Sequence, residues 1–218
     1  MAINTDKGSA IYSPLVLKLY DTWVLGISNR FAWKCSTHEV LLPFFRRNVG
    51  LRHLDVGVGT GFYPCHAGLS QQTQITFMDL NPSSLKAASI RFGRGSTKTI
   101  LHDVMTPLPA QEGGGYDSIS LFYLLHCLPG NISDKGIVLS NLKSHLLPNG
   151  RLFGATILGD SANHNAFGKK LMTIYNRKGI FGNHCDTAEG LKAELEKHFA
   201  SVNIRVEGKV ALFEASNS

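Results

Sequence analysis

No run of apolar residues in this 218-residue chain reaches the roughly 18 that a helix needs to cross a bilayer. The opening residues, MAINTDKGSA, lack a basic start followed by an apolar stretch, so no secretory signal is read and a cytoplasmic protein is expected. Cysteine is sparse and dispersed: Cys35, Cys65, Cys127 and Cys185 form no CxxC pair, which argues for reduced thiols and against a metal cluster. Charge is low as well, at 17% of residues, with 22 basic against 16 acidic. The basic residues are scattered, with only short pairs at Arg46–Arg47, Lys169–Lys170 and Arg177–Lys178, a pattern of solvated surface rather than of a nucleic-acid groove. No repeat, low-complexity tract or linker divides the chain, so a single domain over 1–218 is expected.

What is present is a core and an alternation. Hydrophobic residues make up 43% of the chain, enough for an ordered interior. Residues 1–10 read as a frayed end. From Tyr12 to Val49 apolar residues recur at helical spacing, with Ser13–Pro14 as a helix start. A second helix opens at Ser36 or Thr37 and reaches Phe45, with Pro43 as a kink. This front section, 1–49, is expected to form a helical lid or flank on a core of 50–218. Strands then alternate with helices. Strands are expected over 51–57, 74–80, 97–102, 116–123 and 151–158, and helices over 62–69, 82–92, 134–147, 167–177 and 188–199. A terminal hairpin turning at Glu207–Gly208 adds an antiparallel strand at the edge. Such alternation predicts a doubly wound, mostly parallel α/β sheet.

In a doubly wound sheet, ligands sit beyond the C-terminal ends of the strands. The first strand runs through HLDVGVGTG, in which Asp55 precedes Gly57, Gly59 and Gly61. The second ends at Asp79, which follows Gly61 by 18 residues, near the spacing at which an acid meets a ribose diol. The third ends at Asp103 and Val104, and the fourth in FYLLHCLPG. Asp79 and Asp103 could instead only cap the turns that follow them. The glycine spacing is GxGxG rather than the GxGxxG of dinucleotide binders, and an acid beside a pyrophosphate would repel it. Asp55 suits a cofactor with a cationic amino-acid tail, which favours S-adenosylmethionine over NAD.

HLDVGVGTGFY, ITFMDLNPSSL, LHDVMTPLP, YDSISLFYLLHCLPG and LLPNGRLFGATIL together resemble the successive motifs of the class I, seven-stranded S-adenosylmethionine-dependent methyltransferases. The resemblance covers roughly 51–215. It implies strand order 3-2-1-4-5-7-6 with strand 7 antiparallel. It places Asp55, Gly57, Gly59, Thr60 and Gly61 along the methionine moiety, Asp79 and Leu80 at the ribose, Asp103 and Val104 at the adenine, and Tyr123 beside the donor. S-adenosylhomocysteine would be the product. Val58 departs from the small residue or proline often found in relatives, which bears on loop stiffness. The Asn/Asp-Pro-Pro-aromatic turn of nucleobase and glutamine N-methyltransferases is replaced by Leu121, Phe122, Tyr123 and Leu124. YDTWVLGISNRFAWKC is similar to a stretch in small bacterial and fungal methyltransferases of secondary metabolism, which implies O-methylation of a carboxyl or hydroxyl group on a polyketide- or terpenoid-type small molecule.

For the acceptor, His126 is the candidate base or substrate hydrogen-bonder, with a role in capping the next turn as the alternative. His164 and His184 lie in a second segment that could face substrate. Tyr12, Tyr20, Trp23, Phe31 and Trp33 could wall an apolar pocket or pack as core, with Asp21 and Asn29 as polar anchors. Lys169, Lys170 and Arg177 could meet a substrate carboxylate. Two other readings stay open, a methyltransferase-fold enzyme of a pericyclic or cyclisation step and a nicotinamide oxidoreductase. Monomer and homodimer are both compatible with the sequence.

Overall fold

The computed structural model describes residues 21–95, 97–108 and 115–217. The chain enters through three helical segments, α1 (Asp21–Ala32), α2 (Thr37–Leu41) and α3 (Leu42–Asn48), the first two wound as π-helix. Ser36 caps α2 by accepting from the Glu39 N–H. Pro43 lies in the first turn of α3, directly after the π-wound α2, and the winding changes there without a break.

Seven strands follow: β1 (Arg52–Val56), β2 (Gln74–Asp79), β3 (Lys98–Leu101), β4 (Tyr116–Phe122), β5 (Leu146–Ile157), β6 (Ser201–Glu207) and β7 (Val210–Ser216). Between them run α4 (Phe62–His66), α5 (Pro82–Phe92), α6 (Gly136–Lys143), α7 (Ala166–Arg177) and α8 (Ala188–Glu196). The sheet order is β3-β2-β1-β4-β5-β7-β6, and β7 is antiparallel to both of its neighbours. The order and the antiparallel β7 are those the family resemblance implies. The hairpin differs from the strand-pattern reading in one respect: its antiparallel strand is not at the edge but inserted between β5 and β6.

Several element boundaries also differ. The helix expected to reach 147 stops at Lys143, and β5 begins at Leu146 rather than Arg151. Pro148 and Asn149 are accommodated because the β4–β5 register jumps there, from Tyr116↔Leu146 to Ser118↔Arg151. The helix after the glycine loop is short, ending at His66. Helix α5 is capped at both ends, with Asn81 accepting from Ser83 N–H, Pro82 in its first turn and Gly93 in the left-handed conformation.

Side chains alternate across the sheet. Leu54, Val56, Ile119, Leu121 and Leu152 pack with α6 and α8 through Val138, Leu139, Leu142, Leu191 and Leu195. Phe122, Phe153, Ala155 and Leu212 on the opposite face pack with α1, α3 and α7 through Leu25, Phe44, Phe45 and Met172. Phe77 and Ile75 meet α5 through Leu85 and Ala88. The sheet is therefore covered on both sides, and the parallel strands β1, β2, β3 and β4 deliver their C-terminal ends to one edge. Among the described residues no helix is long and apolar enough to cross a membrane.

Candidate active site

The loop between β1 and α4 is shaped by its glycines. Gly57, Gly59 and Gly61 all have positive φ, at 70°, 54° and 69°. At Gly61 two constraints coincide, because an added Cβ would also meet Ala88 Cβ of α5 at 2.9 Å. At Gly59 only the backbone conformation demands glycine, since nothing lies within 4 Å of an added Cβ. That open side is where a ligand can approach the backbone.

Asp55, Gly57, Val58, Gly59, Thr60, Phe62, Tyr63, Phe122, Tyr123 and, from α1, Leu25 enclose a cavity of about 30 Å³. This is room for about one water. The structure thus brings together Asp55, Gly57, Gly59, Thr60 and Tyr123 of the expected donor set. Asp55 is buried and accepts a 2.5 Å hydrogen bond from the Ser120 hydroxyl. Burial pushes its carboxyl up to about 7, against the lowering effect of Ser120 and with the nearby Asp79 adding to the rise. An acid so placed gains from any cation that enters.

Asp79, at the end of β2, turns back toward the loop. Its Oδ2 accepts from Gly59 N–H at 3.3 Å and its Oδ1 from Asn81 N–H at 2.8 Å. Burial raises its pKa and these backbone donors oppose the rise. Asp79 therefore ties β2 to the glycine loop, while the helix cap itself is Asn81. Leu80 beside it is half-buried. Asp103 Oδ1 accepts from Met105 N–H at 2.9 Å, closing a turn, and Val104 is buried in the core. Tyr123, at φ 58°, sends its hydroxyl to Asn29 Oδ1 at 2.8 Å.

Helix α1 lies across this edge. At one end Asp21 accepts from the Thr60 hydroxyl at 2.7 Å and from Arg91 of α5 at 2.5 Å. In the middle Asn29 donates to Thr37, and Trp23 Nε1 donates to the Tyr175 hydroxyl on α7. At the far end Asn165 donates to the Phe31 carbonyl. Trp23 stays 42% exposed and meets Phe167 edge-on. Trp33 is buried, edge-on to His164 and near Phe181. Phe31 is exposed. Tyr12 and Tyr20 lie outside the described residues.

The histidines separate. His126 is 2% exposed and is not among the residues enclosing the cavity. Its Nδ1 accepts from Ile157 N–H at 3.3 Å, and its ring packs edge-on against Phe181 and Tyr123. Burial, with the Lys135 charge adding, pushes its pKa down to about 3, so it is neutral. His164 is buried with Nε2 donating to the Leu158 and Gly159 carbonyls, each at 3.0 Å. His184 is exposed and pairs with Asp160. Lys169, Lys170 and Arg177 are exposed on α7.

Residues that the motifs did not single out contribute as well. Ser120 stands opposite Asp55 in the β1–β4 register, and alternation within YDSISLF was the available signal. Arg91 ties α5 to α1 through Asp21, a contact no local pattern announces. Lys135 and Asp186 form a buried pair at 2.5 Å, 1% and 2% exposed, in which Lys135 also donates to the Gly182 carbonyl. Asp186 accepts from Gly159 N–H through its backbone carbonyl, which anchors the loop leading to His164.

The donor set fits a cationic amino-acid tail with a ribose behind it. A buried carboxylate faces the cavity, a left-handed glycine borders open space, and a second carboxylate stands at the end of β2. Comparisons with known proteins agree with this chemistry. Residues 54–152 match a family model described as a methyltransferase domain. The chain is 53% identical over 193 residues to the uncharacterized protein YbcY of Escherichia coli K12, covering 88% of this chain and 98% of that one. It is 42% identical over 211 residues to the physcion biosynthesis cluster O-methyltransferase of Aspergillus chevalieri, covering 97% and 95% of the two chains. A structure titled as the DhpI–SAH complex superposes with a TM-score of 0.67 at 12% identity, over 98% of both chains, a likeness of fold.

Proposed function

The chain belongs to the S-adenosylmethionine-dependent methyltransferases, and from that premise we propose that it methylates an oxygen, carboxyl or hydroxyl, on a small polyketide- or terpenoid-type metabolite. The donor half rests on one observation: Asp55 is a buried acid that opens on the glycine-loop cavity. The acceptor half is supported by the Aspergillus relative, whose name states O-methylation, and by the aromatic lid. We read 1–49 as that lid, 50–218 as the catalytic core of one domain, and the four free thiols as suiting a cytoplasmic enzyme.

When bound, the donor supplies an electrophilic methyl on a sulfonium. Asp55 would hold its ammonium, the 57–61 backbone its tail, Asp79 and Leu80 its ribose, and Asp103 and Val104 the adenine edge. Tyr123 would order the lid through Asn29. Positioning and exclusion of water are the main needs of such a displacement. A carboxylate acceptor is already ionised and needs no base. For a phenol, we propose His126 as a hydrogen-bonding wall residue that keeps Tyr123 and Phe181 in place, with Trp33 and His164 completing that wall.

The test is incubation of the purified protein with S-adenosylmethionine and a panel of phenolic and carboxylic polyketides. Release of S-adenosylhomocysteine and the O-methylated products are followed by mass spectrometry. Methylation confined to nitrogen or carbon acceptors would overturn the oxygen assignment. Turnover of a panel member with no S-adenosylhomocysteine released would favour the non-methylating reading.

A further inference from the structure

Behind Asp55 lies a hydrogen-bonded chain that the donor site does not by itself explain. His53 and Asp55 share one face of β1, and the register sets them opposite Ser118 and Ser120 of β4. Four polar side chains are thus stacked side by side in the interior, all buried. Gly50 N–H donates to Ser118 Oγ at 2.7 Å. Ser118 Oγ lies 2.7 Å from His53 Nδ1, and His53 Nε2 lies 3.1 Å from Ser120 Oγ. The Ser120 hydroxyl donates to Asp55 Oδ1 at 2.5 Å. Phe45 and Phe153 cover the imidazole, which burial keeps neutral by pushing its pKa down to about 3.

The protons in this chain are not independent. If Ser120 gives its only proton to Asp55, it has none for His53, so Nε2 must carry the imidazole proton and Nδ1 must accept from Ser118. Every donor then points toward Asp55, and each bond polarises the next. The opposite polarity, with Nδ1–H on His53 and Ser120 donating to Nε2, would require Asp55 to be protonated and donating to Ser120. One arrangement goes with a charged Asp55 and the other with a neutral one.

We propose that His53 is a positioning residue of the donor site: through Ser120 it directs a chain of hydrogen bonds into Asp55 and holds that carboxylate ionised for the donor's ammonium. This rests on Asp55 being the ammonium's partner. The titratable groups acting around Asp55 are Asp79 on β2 and Cys65 on α4, and Asp79 repels a second charge. Ser120, backed by His53, supplies the opposing stabilisation.

The test is calorimetric affinity for S-adenosylhomocysteine from about pH 8.5 down to about pH 5, a window in which a proton competes with the ammonium for Asp55. Parent affinity weakens as pH falls through about 7, the value to which Asp55 is raised. In Ser120→Ala and His53→Asn the weakening begins about one pH unit higher, because asparagine can still meet Ser118 but does not reach Ser120. His53→Gln, whose amide nitrogen does reach, restores the parent profile. Thermal melts establish that each variant is folded. Parent-like pH profiles in both disrupting variants overturn the proposal. Unchanged affinity in Asp55→Asn overturns instead the assignment of Asp55 to the ammonium. Should His53→Asn fail to fold, Ser120→Ala and the imidazole ¹⁵N shifts of the parent complex decide. An Nδ1–H tautomer there refutes the proposed polarity.

Discussion

Asp79→Ala should remove most of the donor affinity, and the structure sets the size of the loss. Each carboxylate oxygen can accept about two hydrogen bonds. Asp79 spends acceptor sites on Gly59 N–H, Asn81 N–H and Leu80 N–H, which leaves about one of its four for a ribose hydroxyl. A hydrogen bond to a charged acceptor contributes about 1.5–3 kcal/mol, a loss on the order of 10 to 10² in affinity. Asp79→Asn separates charge from shape. Its amide can keep one backbone contact, but its NH₂ group would face a second N–H, so part of the loss should appear as lower stability. Isothermal titration with S-adenosylhomocysteine, paired with a thermal melt, reads both. A folded Asp79→Ala protein that binds within about threefold of the parent would refute the reasoning, since charge-assisted bonds to ribose could not then be made at this acid.

Three further outcomes can be checked together. Gly61→Ala should lose about 2–5 kcal/mol in chemical denaturation, combining a left-handed alanine with the collision at Ala88, and a loss below about 1 kcal/mol would contradict that geometry. Gly59→Ala, with positive φ and no neighbour within 4 Å, should lose only the conformational part, about 1–2 kcal/mol. Lys135→Met should destabilise by about 3–5 kcal/mol through the stranded Asp186, while Lys135→Met with Asp186→Leu recovers most of it; equal single and double losses would mean the pair is not coupled. His126→Gln should keep kcat within about tenfold of the parent for a phenolic acceptor, because His126 is buried and lines no part of the cavity; a kcat loss beyond about 10³-fold at unchanged KM would make His126 the base.

The donor side of this fold was legible because its signals are local. Glycines at alternate positions after LDV, and acids at the next strand ends, are properties of short windows, and each falls where the windows put it. What was not legible depends on pairing. The strand that absorbs Pro148 and Asn149 can be recognised only from its bulged register with β4. The insertion of β7 between β5 and β6 leaves no trace in the hairpin's own alternation. His53 looks like one polar residue in an apolar strand until register sets it against Ser118. Trp33 and His126 illustrate a further limit: an aromatic after a helix or a histidine after a strand can face the site or the interior, and burial decides between them.

The lid has an energetic consequence for every measurement of binding. If α1 acts as the lid proposed above, a methionine tail, which is far larger than the roughly 30 Å³ beneath it, would enter as Leu25 lifts and the Asp21 clasp opens. The measured dissociation constant is then the intrinsic one divided by the fraction of molecules with the lid raised; a lid raised in one molecule out of a hundred weakens apparent affinity by about a hundredfold. On that reading Arg91 and Tyr175, which hold α1 and do not line the cavity, would set the apparent strength of donor binding. Loosening the clasp would make the protein grip its donor more tightly.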